Sequence, residues 1–199
     1  RVGVLPAWER RGFGRLLGGW PGPGADVVAG MGAGRVVCPH TKLATTRWWQ
    51  SRTIAEDLGV REASEDDLYV AMDWLLARQA RIERKLAARH LREGGLVLYD
   101  LTSSYLEGTP CPLAKRGHNR DGKRDKLQVN YGQVTDGRGC PVAVSVFDGN
   151  VGDSTTLLPQ VRRLREDFHV QDVVLVGDRG MISQRAIDEL GPMDGVQWI

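Results

Sequence analysis

Two rhythms of apolar residues divide this chain. Leu68, Met72, Leu75, Leu76, Ile82 and Leu86 recur at helical spacing, and Ser64 with Asp67 three residues on marks a helix start, so one helix is predicted from there to about Arg92. Thr41 to Leu58 also favours helix, with Gly59 as its stop. After Gly94-Gly95 the pattern changes to short unbroken apolar runs of the kind buried strands show. Strands are predicted over Leu96 to Asp100, Lys126 to Thr135, Pro141 to Phe147 and Asp172 to Gly177, with a fifth from Val196. Asp136-Gly137-Arg138-Gly139 turns the second into the third. Helices are predicted from Ser154 through Leu157, Leu158, Val161 and Leu164, and from Ser183 to Leu190. The order is β-β-β-α-β-α-β, an α/β region behind a helical one.

Residues 1–34 fit neither rhythm. They hold ten glycines and the run Pro21-Gly22-Pro23-Gly24, and poor order is expected there. Gly30-Met31-Gly32-Ala33-Gly34 lacks the preceding strand and following Lys-Ser/Thr of a phosphate-cradling loop. Three regions result: 1–34 glycine-rich, 35–95 helical, 96–199 α/β. Ile54-Ala55-Glu56-Asp57-Leu58-Gly59-Val60 has the composition of the first helix of a helix-turn-helix, which makes DNA binding one reading of the helical region. The sequence opens at Arg1 and closes inside its last strand, and it reads as a fragment of a larger protein or a decayed remnant.

Composition narrows the class without defining it. A chain of 199 residues with a formal charge of +2 suits an ordinary globular protein, and no apolar stretch approaches the roughly 20 residues of a bilayer span. The charge is uneven: residues 1–95 carry 15 Lys and Arg against 11 Asp and Glu, and the remainder 12 against 14. Cys38, Cys111 and Cys140 are odd in number and widely spaced, which argues against a disulfide framework and a four-ligand zinc site and for a reducing cytoplasm. Cys38 and His40 have no second ligand pair at usable spacing, and Trp48 and Trp49 are read as packing residues.

Asp100 and Asp178 each follow an apolar run where a strand is expected to end. Two carboxylates brought together at such exits share a proton or hold a cation, and oxygen ligands select magnesium or manganese. The alternative is that each caps the following segment, although Ser103, Ser104 and Ser183 are available for that. A haloacid-dehalogenase phosphatase would need a second aspartate two residues after the first, where this chain has Thr102.

The element order is that of the ribonuclease H-like fold, whose first and fourth strands lie side by side. The words around the aspartates resemble the DDE transposases of bacterial insertion sequences, specifically the insertion-sequence-four-like superfamily. Tyr99-Asp100-Leu101-Thr102-Ser103-Ser104-Tyr105 resembles the first-aspartate segment and Gly177-Asp178-Arg179-Gly180-Met181 the second. Phe147-Asp148-Gly149-Asn150-Val151-Gly152-Asp153 resembles the stretch between them, and Lys42-Leu43-Ala44 and Asp67-Leu68-Tyr69 extend the likeness upstream. The resemblance implies a bacterial, nucleoid-associated enzyme, dimeric when full length, that cuts double-stranded DNA at element ends and joins the freed hydroxyl to a target. It implies that Asp100 and Asp178 ligate two Mg2+ (or Mn2+) ions. It also implies a third carboxylate within a Tyr-x2-Arg-x3-Glu-x6-Lys signature on a later helix, which these residues do not contain; Glu189 reads as a solvated helix face. Such a chain is expected not to transpose DNA by itself.

Lys115, Arg116, Arg120, Lys123, Arg124 and Lys126 crowd the segment between the first two strands, where they are expected to neutralise DNA phosphates, with Arg179 a further contact. Two other readings share these features: a DNA-binding remnant or regulator without catalysis, and a ribonuclease H-like nuclease.

Overall fold

A computed structural model describes residues 3–17, 23–108, 111–117, 122, 125–177 and 180–199. The chain divides between Ile82 and Glu83 into two compact units. The division falls thirteen residues before the expected one after Gly94-Gly95, inside a helix that starts in one unit and ends in the other.

The first unit is helical: α1 (Val4–Arg10), α2 (Phe13–Leu17), α3 (Pro23–Val37), α4 (Lys42–Trp49), α5 (Thr53–Asp57), α6 (Glu65–Leu76) and the start of α7 (Gln79–His90). Three of these helices lie where poor order is expected, and in α3 the glycines themselves explain why. A β-carbon on Gly24 would lie 2.8 Å from the Trp74 ring, one on Gly30 2.8 Å from Trp49, and one on Gly32 2.6 Å from Trp8. These glycines admit tryptophan rings against a helix backbone, so the loss of helix propensity is offset by burial of large aromatic surface. Trp49 and Leu68 are fully buried at the centre of this core, with Val27, Val28, Ala55, Val60 and Ala71 around them.

Local chemistry sets the helix ends. Ser64 and Asp67 form a reciprocal capping box, with Asp67 Oδ2 accepting from the Ser64 N–H at 2.8 Å and Ser64 Oγ accepting from the Asp67 N–H at 3.2 Å. Gly59 takes φ +66°, and with Val60 N–H donating to Ala55 O and Gly59 N–H to Glu56 O it closes α5 as a Schellman motif. The single helix predicted from Ser64 to Arg92 is two. In an unbroken helix Trp74 O would accept the Arg78 N–H; here the Arg78 guanidinium donates to it at 2.9 Å while stacking on the Trp74 ring. The Arg78 N–H turns to Leu75 O instead, and α7 begins afresh. Likewise Thr41 to Leu58 is broken between α4 and α5.

The second unit contains the rest of α7, then β1 (Gly95–Tyr105), β2 (Gln128–Asp136), β3 (Pro141–Asp148), α8 (Asp153–Glu166), β4 (Val173–Val176), α9 (Gln184–Leu190) and β5 (Val196–Trp198). The sheet order is β3-β2-β1-β4-β5. β2 runs antiparallel to β1 and β3, while β4 is parallel to β1 and β5. This is the ribonuclease H-like arrangement.

β1 is longer than expected. Val97, Tyr99, Leu101 and Ser103 point into the core while Leu96, Asp100, Thr102 and Ser104 are exposed, so strand alternation continues past Asp100 and pairing with β2 persists to Tyr105–Gln128. Ser103 and Ser104 are strand residues, not caps. On the covered face Val97, Tyr99, Leu101, Val134 and Val142 meet Leu157, Val161 and Leu164 of α8 and Ala186 and Leu190 of α9. On the opposite face Leu96, Val144 and Val146 are exposed.

β3 is an edge strand, and its edge is guarded. Glu83 of α7, only 4% exposed, accepts the Val144 N–H at 3.0 Å and pairs with Arg163 of α8. Arg163 also donates to Ser145 Oγ at 3.2 Å, so the pair spends its hydrogen bonds on a strand edge that would otherwise offer them to another chain.

Candidate active site and nucleic-acid surface

Asp100 stands in the middle of β1 on its exposed face, opposite Gln133 of β2. Its Oδ1 accepts the Leu101 N–H at 2.9 Å, which fixes the carboxylate against its own strand. On the other side β4 ends at Val176, paired with Leu98, and Gly177 follows. Asp178 and Arg179 lie outside the described residues. The strand exit expected of Asp100 therefore belongs to β4: a mid-strand carboxylate on β1 borders the carboxyl end of its parallel neighbour. Ligands of open α/β sheets usually bind at such ends.

The inner face beneath is tightly built. Tyr99 is buried, which pushes its hydroxyl above the usual range. Gly132 of β2 makes room for it, since a β-carbon there would lie 2.3 Å from the Tyr99 oxygen and 2.9 Å from its ring. A glycine inside an apolar strand was the only sequence signal for this close approach.

The basic segment is anchored at the other end of β1. Lys115 and Gln128 exchange backbone hydrogen bonds at 3.0 and 2.9 Å, and Gly149 N–H donates to Leu113 O at 3.0 Å. Two buried amides brace this corner: Gln128 Nε2 donates to Gly149 O at 2.8 Å and to Asn130 Oδ1 at 3.1 Å, and Asn130 Nδ2 donates to Val151 O at 3.1 Å. These polar residues, at inward positions of an apolar strand, went unremarked in the sequence. Gly117 packs so closely that a β-carbon would fall 2.0 Å from Gly149 O.

Lys115 and Arg116 are exposed at this root. Lys126 is partly neutralised by Glu107, 3.4 Å away. Arg120, Lys123 and Arg124 lie outside the described residues. From Asp100 to the Tyr105–Gln128 pair is five strand residues, roughly 17 Å at the usual rise. The described cations are thus neighbours of the Asp100 region along the sheet and not contacts of the carboxylate.

Asp100 brings a hard, exposed oxygen donor suited to a divalent cation. Among the described residues no group of three or more His, Cys, Asp or Glu ligands includes it: the one such cluster found there lies at the β2–β3 hairpin. Glu189 pairs with Arg185 at 2.9 Å, one turn away on an exposed face of α9.

The sheet defines a ribonuclease H-like domain, the scaffold on which the resemblance placed polynucleotide chemistry. The family model described as "Transposase DDE domain" matches residues 92–199, more than half of the chain, and the chain belongs to that family. No curated protein matches the sequence. Among solved structures, the Mos1 transposase paired-end complex with left transposon end is similar at 12% identity and a TM-score of 0.36, covering 100% of this chain and 68% of that one. A pre-cleavage Mos1 transpososome is similar at 11% identity and 0.35, covering 100% and 68%. The Mos1 strand transfer complex is similar at 14% and 0.34, covering 100% and 67%. Among the described residues no helix is long and apolar enough to cross a membrane.

Proposed function

We propose that this chain belongs to an insertion-sequence transposase of the insertion-sequence-four-like type, acting by metal-dependent phosphoryl transfer on double-stranded DNA. The position of Asp100 supports this reading most directly. It projects from the exposed face of β1 beside the end of β4, two residues before Asp178, within the segment that the family match covers.

Asp100 and Asp178 would hold the divalent ions. Bound magnesium or manganese supplies Lewis-acid activation of the attacking oxygen and charge stabilisation on the leaving one. The Leu101 N–H keeps one Asp100 oxygen oriented and leaves the other for the cation. Lys115, Arg116, Arg120, Lys123, Arg124 and Arg179 would contact phosphates, with Lys126 a weaker contributor because it shares its charge with Glu107. Such contacts position DNA without reading its sequence. The helical region at 35–95 is a second surface for DNA, and two copies would act together on paired ends. The 199 residues carry two of the three carboxylates that the resemblance implies, so a polypeptide of this length is expected to bind metal and DNA without completing strand transfer.

The test is Mn2+ binding, followed by electron paramagnetic resonance, together with Mn2+-dependent nicking of supercoiled plasmid. Asp100→Asn and Asp178→Asn should each lose the bound manganese signal and any nicking, whereas Glu189→Gln should keep both. Undiminished manganese binding in Asp100→Asn would overturn the site. DNA binding with no metal response in the unaltered chain would leave a non-catalytic DNA-binding protein.

A further inference from the structure

The β2–β3 hairpin gathers three side chains that the sequence scatters. His90 ends α7, Asp136 ends β2 and Cys140 precedes β3. One ligand atom from each lies within 4.8 Å of the other two, and His90 Nδ1 is 3.6 Å from Asp136 Oδ2. Around a tetrahedral zinc ion, bonds of about 2.0–2.1 Å place nitrogen and oxygen ligands about 3.3 Å apart, and a thiolate about 3.6 Å from either. The histidine and aspartate are already near that spacing. The thiol needs a shift of about 1 Å, within reach of a side-chain adjustment on the hairpin.

The orientation of the donors also fits. Arg138 Nη2 lies 2.7 Å from Asp136 Oδ2 and 3.2 Å from His90 Nδ1. A guanidinium can only donate, so Nδ1 meets it with a lone pair, the form that ligates a metal. Asp136 Oδ1 accepts the backbone N–H groups of Arg138 and Cys140, both at 2.9 Å, which holds Oδ2 toward the cluster as outer-shell bonds do in metal sites. A positive group therefore already sits between Asp136 and His90, and its side chain, 72% exposed, is free to swing into solvent.

We propose that His90, Asp136 and Cys140 form a binding site for one zinc-class divalent ion, which displaces the Arg138 guanidinium and keeps a fourth position for water. One nitrogen, one oxygen and one sulfur select zinc or cobalt over magnesium. The site is separate from Asp100: Asp136 pairs with Val97 and faces the covered side of the sheet, whereas Asp100 faces the open side. The ion would fasten α7 to the hairpin.

The experiment titrates Co2+ into the reduced, chelator-stripped 199-residue chain and follows thiolate-to-cobalt absorption, then displaces the cobalt with Zn2+. The band should saturate at one equivalent of thiolate-bound cobalt. Cys140→Ser and His90→Ala should abolish the band, Cys38→Ser should retain it although Cys38 Sγ sits 3.1 Å from His40 Nε2, and Arg138→Ala should tighten binding several-fold. Zinc, but not tenfold more magnesium, should protect Cys140 of the unaltered chain from alkylation as mapped by mass spectrometry, a readout that needs no variant to fold. A band that survives Cys140→Ser, a band lost only in Cys38→Ser, or alkylation of Cys140 undiminished by zinc overturns the assignment.

Discussion

Replacing Asp136 by asparagine should destabilise the α/β unit in a way that fades in acid. Burial raises the Asp136 carboxyl, but hydrogen bonds from the Cys140 and Arg138 backbones and from the Arg138 guanidinium outweigh it, bringing it from the ordinary 3.8 to about 2. The group ionises more readily folded than unfolded, so its contribution is present above the unfolded value and lost as pH falls through the folded one. The shift of nearly two units corresponds to about 2 kcal/mol at neutral pH, and to roughly half of that at pH 3. Asparagine keeps an oxygen for the two backbone N–H groups but offers the guanidinium no charge. Urea unfolding with chelator present, monitored by a probe in the second unit, should therefore show Asp136→Asn less stable than the unaltered chain by about 2 kcal/mol at pH 7. The gap should halve near pH 3. An equal gap at both values, or none at pH 7, would refute the charge-based account of this turn.

Three further changes test other parts of the structure. His169 adopts φ 58° at the end of α8, where an L side chain is strained, so His169→Gly should stabilise the protein by about 0.5–1 kcal/mol in the same urea assay. Gly132→Ala should cost about 1–3 kcal/mol by driving a methyl into Tyr99, with partial recovery when Tyr99→Phe removes the nearest atom; thermal melts of the single and double variants would reveal the coupling. Lys115→Ala with Arg116→Ala should weaken binding to unrelated duplexes equally and reduce the salt dependence of binding by up to about two counterions, measured by fluorescence anisotropy across a salt series.

Where local chemistry decides an element, the sequence was readable. Ser64 and Ser183 start helices through their own oxygens, Gly59 ends one, and the turn after Asp136 joins two strands, because each acts within five residues. Decisions made across space were hidden. Nothing near Ala77 announces a helix break, because the break depends on the Arg78 side chain replacing a backbone donor at Trp74. The early glycines read as a poorly ordered stretch because the tryptophans they admit lie up to 50 residues away. Asp100 was recognisable by its surrounding residues, yet its place in mid-strand required the pairing with β2 to be seen. His90, Asp136 and Cys140 had no legible spacing at all.

The family match begins at residue 92, but the physical unit begins at Glu83. Cutting the gene at the homology boundary would discard the acid that occupies the Val144 N–H and leave Arg163 without its buried partner. The remaining piece would present β3 as a bare ledge, flanked by the exposed side chains of Val144 and Val146. Such a piece should dock edge to edge with its own copies and come out of solution, and its insolubility would be mistaken for a fault of the catalytic domain. A fragment begun ahead of α7 keeps the guard with the strand it protects.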